Sequence, residues 1–182
     1  MKRFLDWANH EYSLRTRVLA LIPAGVLFLI LFPYSLVVLL PRLDTALNLQ
    51  RVTFGAINII IGGLLVVSGA IFGLWSIIQQ MTQAQGTPIP VMATQKLLIH
   101  GVFKYSRNPM LFGTFCAYLG AAILVGSISS MVAALLFTLL IIAYIKIFEE
   151  KELELRFGQE YLDYKVSTPF FFPGVPGRKQ AN

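Results

Sequence analysis

At 182 residues the chain is about one domain long, with 56% hydrophobic and only 13% charged residues, about half the charge content of a soluble domain. A globule of this size cannot hide so much apolar side chain from water, so a mean hydropathy of +0.68 points to lipid as the main solvent and excludes a soluble enzyme or a disordered tail. The single cysteine, Cys116, forms no internal disulfide, and with only His10 and His100 beside it no Cys/His zinc site is expected.

Val18–Leu40 is a run of 23 residues without a charge, longer than the roughly 20 needed to cross the hydrocarbon core as a helix. Its length and the polar residues before it argue against a cleaved secretory signal, so the N-terminal segment is expected to persist. Ala56–Ile78 is the second uncharged run, and Gly69 and Gly73 within it form a G-x-x-x-G pair, the spacing that lets membrane helices approach closely.

The polar segment Met81–Pro109 follows. Gly86-Thr87-Pro88-Ile89-Pro90 reads as a stiff extended strap, because two prolines two apart restrict both themselves and their neighbours. From Gln95 to Pro109 aromatic and basic residues mix without an acid, which suits either a wall for a flat ring or an ordinary interfacial loop. Pro109 fits the first turn of the next helix, and Asn108 is placed to cap that turn. His100 reads as an exposed loop histidine, Cys116 as a small core residue, and Trp7 and Trp75 as interfacial anchors.

Met110–Phe148 is 39 residues with Lys146 as its only charge, too long for one span. Gly126-Ser127-Ile128-Ser129-Ser130 interrupts it, which predicts a tight helical hairpin with arms Met110–Val125 and about Met131–Phe148. Beyond it, Glu149 to Tyr164 reads as one helix leaving the membrane, with Leu153, Phe157, Tyr161 and Tyr164 along a stripe that needs a partner. Phe170-Phe171-Phe172-Pro173 reads as an interfacial aromatic anchor.

The fold class is therefore all-α: a polytopic membrane protein with about four transmembrane helices. Thirteen of the fifteen Lys and Arg residues flank one side of these spans, and only Arg42 and Arg51 the other. The positive-inside bias then places both termini and the middle loop in the cytoplasm. The basic excess is a topology signal plus attraction to anionic headgroups, and no nucleic-acid partner is expected.

Connectivity alone brings Arg107-Asn108-Pro109 near Glu149-Glu150, since both lie at the open end of the hairpin. Carboxylates abutting an apolar span are costly without a cation or ligand. Arg107 alone is also consistent with snorkelling to phosphates, and all three charges with a structural ion pair in a non-catalytic scaffold.

Three pieces stand in this order: Gly86-Thr87-Pro88-x-Pro90; Gly101-Val102-Phe103-Lys104-Tyr105-Ser106-Arg107-Asn108-Pro109-Met110; and Glu149-Glu150-x-x-Leu153-x-x-x-Phe157-Gly158-x-x-Tyr161-x-x-Tyr164. Together they resemble the integral-membrane methyltransferases of the isoprenylcysteine carboxyl methyltransferase and phospholipid N-methyltransferase superfamily, over roughly the C-terminal half of the chain. The resemblance implies a division into residues 1–80, the N-terminal segment and first two spans, and residues 81–182, a methyltransferase core. In that core the cytoplasmic loop and the C-terminal amphipathic helix form the cofactor site.

The resemblance also implies S-adenosylmethionine as cofactor and a lipid or lipophilic acceptor, an amine, carboxylate or thiol, reaching the site from the bilayer. Gln95, Lys96, Leu97, Leu98, Gly101, Phe103, Asn108, Pro109, Met110 and Leu111 would line the cofactor pocket, and Glu149 and Glu150 its polar end. Charge logic adds Arg107 as partner of the methionine carboxylate. Glu149, Glu150 and Arg107 are thus the candidate catalytic residues, with base catalysis by a glutamate second to cofactor binding. The family commonly has Tyr at the positions of Phe103 and Leu111. Its prenylcysteine enzymes place an arginine one turn before the paired glutamates, where this chain has Ile145. A rival resemblance, to steroid-reductase-like membrane enzymes that bind NADPH, rests on the Arg-x-Pro element, the acidic helix and the Tyr-x-x-Tyr segment.

Overall fold

The computed structural model describes residues 13–84 and 95–175. The Gly86-to-Pro90 strap, Trp7, His10, Lys2, Arg3, Arg178 and Lys179 lie outside the described residues.

Helix α1 runs over residues 14–46, and Ser13 starts it by accepting a hydrogen bond from the Thr16 amide at 3.2 Å. Pro23, Pro33 and Pro41 all lie inside this run. A proline lacks the amide hydrogen and crowds the carbonyl four residues back. Two π-helical turns, Val26–Leu31 and Ser35–Leu39, flank Pro33 and widen the coil there. The helix thereby continues past Leu40, the expected end of the first span, to Ala46.

Helix α2, Ala56–Thr82, has 27 residues and is about 40 Å long at 1.5 Å per residue. It packs antiparallel to α3, Pro109–Val125, with Gly62 opposite Gly120 and Gly69 opposite Gly113. A Cβ on Gly62 would lie 2.8 Å from the Gly120 carbonyl oxygen, and one on Gly113 would lie 2.6 Å from that of Gly69. A Cβ on Gly63 or Gly73 would meet nothing within 4 Å. The close crossing therefore rests on glycines seven apart on each helix, not on the four-residue Gly69–Gly73 pair alone. Gly73 contributes only its backbone, which Gly113 approaches.

The expected hairpin forms. Gly126 takes a left-handed φ of +64° that ends α3, and the Ser127 hydroxyl accepts from the Ser130 amide at 3.1 Å to start the next helix at Ile128. The same turn binds α1: the buried Asp44 carboxylate accepts from the Ser127 hydroxyl at 2.5 Å and from the Ser129 amide at 3.0 Å. Asn58 of α2 joins from the other side, donating to Ile123 O at 2.8 Å and accepting from the Phe54 amide at 2.6 Å.

Helix α4 covers Ile128–Tyr144, passes through a π-helical turn at Ile145–Glu149 and continues over Glu150–Phe157. As one helix, Ile128–Phe157 has 30 residues, about 45 Å, which exceeds the roughly 30 Å hydrocarbon core. Its apolar part ends at Phe148, and the charged continuation from Glu149 stands outside the span. Gly158, at φ +54°, then breaks the chain and begins α5, Gln159–Ser167. The single helix expected from Glu149 to Tyr164 is thus two helices with a bend, because only glycine readily takes that conformation.

Among the described residues every regular element is helical. Three helices, Val18–Ala46, Ala56–Thr82 and Ile128–Phe157, are long and apolar enough to cross a membrane, and α3 is apolar but shorter at 17 residues. Side chains such as Leu29, Ile59 and Leu140 stay about two-thirds exposed, as expected where lipid covers them. The tail departs from its expected role. Phe171 is buried with Leu111 and Ile145, whereas Phe172 is exposed, so the Phe170–Pro173 segment is half core and half surface.

Candidate active site at the open end of the hairpin

The open end of the α3–α4 hairpin is closed over by the loop before α3, the charged end of α4, α5 and the tail. Backbone and side-chain bonds fix these parts to one another. The Arg107 amide donates to Pro169 O at 2.8 Å, and its Nε donates to Thr168 O at 3.1 Å. Asn108 Nδ2 donates to Phe170 O at 3.0 Å instead of capping α3, whose first turn has no side-chain cap. Ser106 Oγ donates to Phe171 O at 2.9 Å and accepts from the Asn108 amide at 3.1 Å.

At the loop's start, Gln79 of α2 accepts from the Val102 amide at 3.0 Å. Gly101, at φ +61°, lies directly under the Gln79 side chain and leaves no room for a Cβ. The left-handed backbone is itself what favours glycine here, and the contact with the Gln79 side chain adds to it. A 3₁₀ turn at Gly101–Lys104 follows, and the Tyr164 hydroxyl of α5 donates to Phe103 O at 2.6 Å.

The charges sort into two groups. Arg107 Nη1 donates to Glu150 Oε1 in an ion pair whose two side chains are 10% and 9% exposed. Lys165 Nζ reaches the second oxygen of Glu150 at 3.0 Å and Glu154 Oε1 at 2.7 Å. Arg107 also lies 3.4 Å from the Tyr161 hydroxyl. Burial, then the negative charge of Glu150, raise the Tyr161 hydroxyl to about 12, against the opposing pull of Arg107. Glu149 stands apart from this cluster: burial first, then the neighbouring Glu152 and Glu150 carboxylates, lift its carboxyl to about 7.

Between these parts lies an open cleft lined among others by Lys96, Leu97, Leu98, Phe103, Arg107, Asn108 and Glu149. All seven are residues singled out from the sequence. Gln95, Gly101, Pro109, Met110, Leu111 and Glu150 do not line it. Leu111 belongs to the apolar cluster with Phe171, Pro109 is fully buried, and Glu150 faces Arg107 and Lys165.

Sequence reasoning gave no binding role to five further lining residues: Gln80, Ile145, Leu153, Tyr161 and Tyr164. Leu153 and the two tyrosines had been visible as a stripe needing a partner, and the cleft is what they face. Ile145 and Glu149 are brought there by the π-helical turn that ends the span, and such turns recur at functional sites. Lys165 gave no sequence signal, since a lysine in the last turn of an exposed helix is commonplace.

The arrangement sets a guanidinium and an ammonium, Arg107 and Lys96, and a separate carboxylate, Glu149, around one cleft with aromatic walls. It suits a zwitterionic ligand carrying a ring. The family model for phospholipid methyltransferase matches residues 57–160, more than half of the chain. The chain belongs to the phospholipid methyltransferase family. No curated protein and no solved structure matches the chain.

This membership, with the apolar helices, makes the chain an integral-membrane protein of a methyltransferase family. The matched stretch takes in α2, the loop, the hairpin and the paired glutamates. It stops just before Tyr161, so two aromatic residues of the cleft and Lys165 lie beyond it.

Proposed function

We propose that this phospholipid methyltransferase family member binds S-adenosylmethionine in the cleft and methylates a lipid or lipophilic small acceptor drawn from the bilayer. The observation that carries this reading is the presence of Arg107 and Glu149 in one cleft walled by Phe103, Tyr161 and Tyr164. An amino-acid group needs both signs of charge, and a purine needs apolar or aromatic surface. Arg107, with Lys96, would take the carboxylate, Glu149 the ammonium, and Phe103, Tyr161, Tyr164, Leu97 and Leu98 the ring.

When bound, the cofactor supplies an activated methyl group on a sulfonium. The protein's share is to keep water out and hold the acceptor in line. Tail, loop and α5 are tied together around the cleft, so its walls are set before a ligand arrives. For an amine acceptor, Glu149 would also take the proton that the nitrogen must lose.

The basic residues favour a cytoplasmic site, because the loop and helix end that form the cleft belong to the flanks to which the sequence assigns thirteen of the fifteen Lys and Arg. The methyltransferase core is residues 81–182, with residues 1–80 as its scaffold, although Gln80 of α2 reaches the cleft from across that boundary. Among the described residues that line the cleft, Lys96 and Arg107 are the cations, and the additional phosphate of NADPH asks for more.

Two measurements test the reading. Radiolabelled methyl groups from S-adenosylmethionine should appear in a chromatographed product of a total lipid extract. In detergent titrations S-adenosylhomocysteine should bind and NADPH should not, and Glu149→Gln should abolish the binding. NADPH binding without S-adenosylhomocysteine binding would refute it.

A further inference from the structure

Arg107 is assigned a ligand carboxylate above, yet it already holds a carboxylate of the protein, Glu150. Two carboxylates on one guanidinium in a site about 10% exposed repel each other unless another positive charge offsets them. Lys96 stands on the ligand's side of the cleft, and Lys165 supplies such a charge on the side of Glu150. Its ammonium lies 3.0 Å from Glu150 Oε2, the oxygen that Arg107 does not take in the ion pair. Arg107, Glu150 and Lys165 together carry a net charge of +1, enough to accept one anion. Arg107 and Glu150 alone carry none. Lys165 and its other partner, Glu154, are 35% and 36% exposed, so water weakens that pair without removing it, and Glu150, 9% exposed, is the carboxylate that feels the ammonium most.

We infer that Lys165 is a positioning residue: by sharing Glu150 it frees Arg107 to bind the carboxylate of the ligand in the cleft. Lys165 does not line the cleft itself and acts only through Glu150. The inference rests on the cofactor reading above and goes beyond it, since Lys165 lies outside the stretch that matches the family.

The test compares two ligands on the full-length chain in detergent. S-adenosylhomocysteine carries the amino-acid carboxylate, and methylthioadenosine lacks the amino-acid group altogether. In Lys165→Gln the dissociation constant for S-adenosylhomocysteine should rise about tenfold, equivalent to about 1.4 kcal/mol, while that for methylthioadenosine stays unchanged. Lys165→Arg should restore the difference between the ligands. Equal weakening of both ligands, or no change in either, overturns the inference, because a merely structural lysine would not distinguish them.

Should Lys165→Gln fail to fold, Glu154→Gln serves instead. It leaves Lys165 only Glu150 to neutralise, so S-adenosylhomocysteine should bind more tightly and methylthioadenosine as before; an unchanged ratio overturns the inference. If the unsubstituted protein binds neither ligand, it is the cofactor reading that fails.

Discussion

The hydroxyl of Tyr164 donates to the carbonyl oxygen of Phe103 at 2.6 Å. This bond, part-buried, joins the last helix to the 3₁₀ turn that presents the Phe103 ring to the cleft. Tyr164→Phe should cost about 1–2 kcal/mol of stability, the usual loss when a part-buried acceptor is left unpaired. Thermal unfolding in detergent measures it, and an unchanged melting temperature would show that this bond does not hold the turn.

The helix crossing offers a sharper contrast. Gly69→Ala or Gly113→Ala drives a methyl group into backbone of the facing helix and should destabilise by about 1–3 kcal/mol, the range for overpacking. Gly63→Ala places its methyl in open space and should be neutral or stabilising by about 0.5–1 kcal/mol, since alanine favours helix over glycine. Paired melting curves decide: similar shifts for Gly63 and Gly69 would mean that the helices do not touch where their glycines face each other.

Arg107 and Glu150 form a buried pair, and removing one partner strands the other charge. Arg107→Leu and Glu150→Leu should each cost about 3 kcal/mol or more, whereas the double variant should cost less than the sum. Additive losses in that cycle would show that the two side chains do not interact.

Glu149 predicts a dependence on pH. Its carboxyl is raised from an ordinary 4.5 to about 7, so between these values the folded state binds more protons than the unfolded state, and stability falls as pH rises. The contribution is complete below about 4.5 and gone above about 7. Glu149→Gln should flatten the melting temperature across this window. A ligand ammonium favours the ionised form, so S-adenosylhomocysteine should bind better as pH rises through the same range. Parallel melting profiles for the variant and the unsubstituted protein would contradict the first statement, and binding by the unsubstituted protein that stays flat or weakens over this range would contradict the second.

The break at Gly126 and the helix start at Pro109 were legible in the sequence because each follows from one residue's backbone geometry. The meeting of Arg107 with the glutamates was legible from connectivity, since a hairpin has only one open end. Which glutamate faces the cleft was not. That depends on the π-helical turn Ile145–Glu149, whose apolar residues look the same as those of an ordinary helix. The close approach at Gly69 and Gly73 was legible in α2 alone, whereas its extension to Gly62 was not, because the partner glycines, Gly113 and Gly120, lie on a helix whose register no local pattern reveals. Asn108 was misassigned for a similar reason: its amide bonds to Phe170, some sixty residues away, once the tail has returned.

At the opposite rim, Asp44 holds the hairpin turn through a hydroxyl and an amide of uncharged residues, whereas α5 is fastened partly by Lys165, whose side chain is 35% exposed in its pairs with Glu150 and Glu154. Dissolved ions weaken such an exposed pair far more than a buried one. Added electrolyte should therefore loosen the molecule asymmetrically: amide hydrogens of α5 would exchange earlier, while those beside Gly126 stay protected and the far rim serves as the clasp from which the protein closes again.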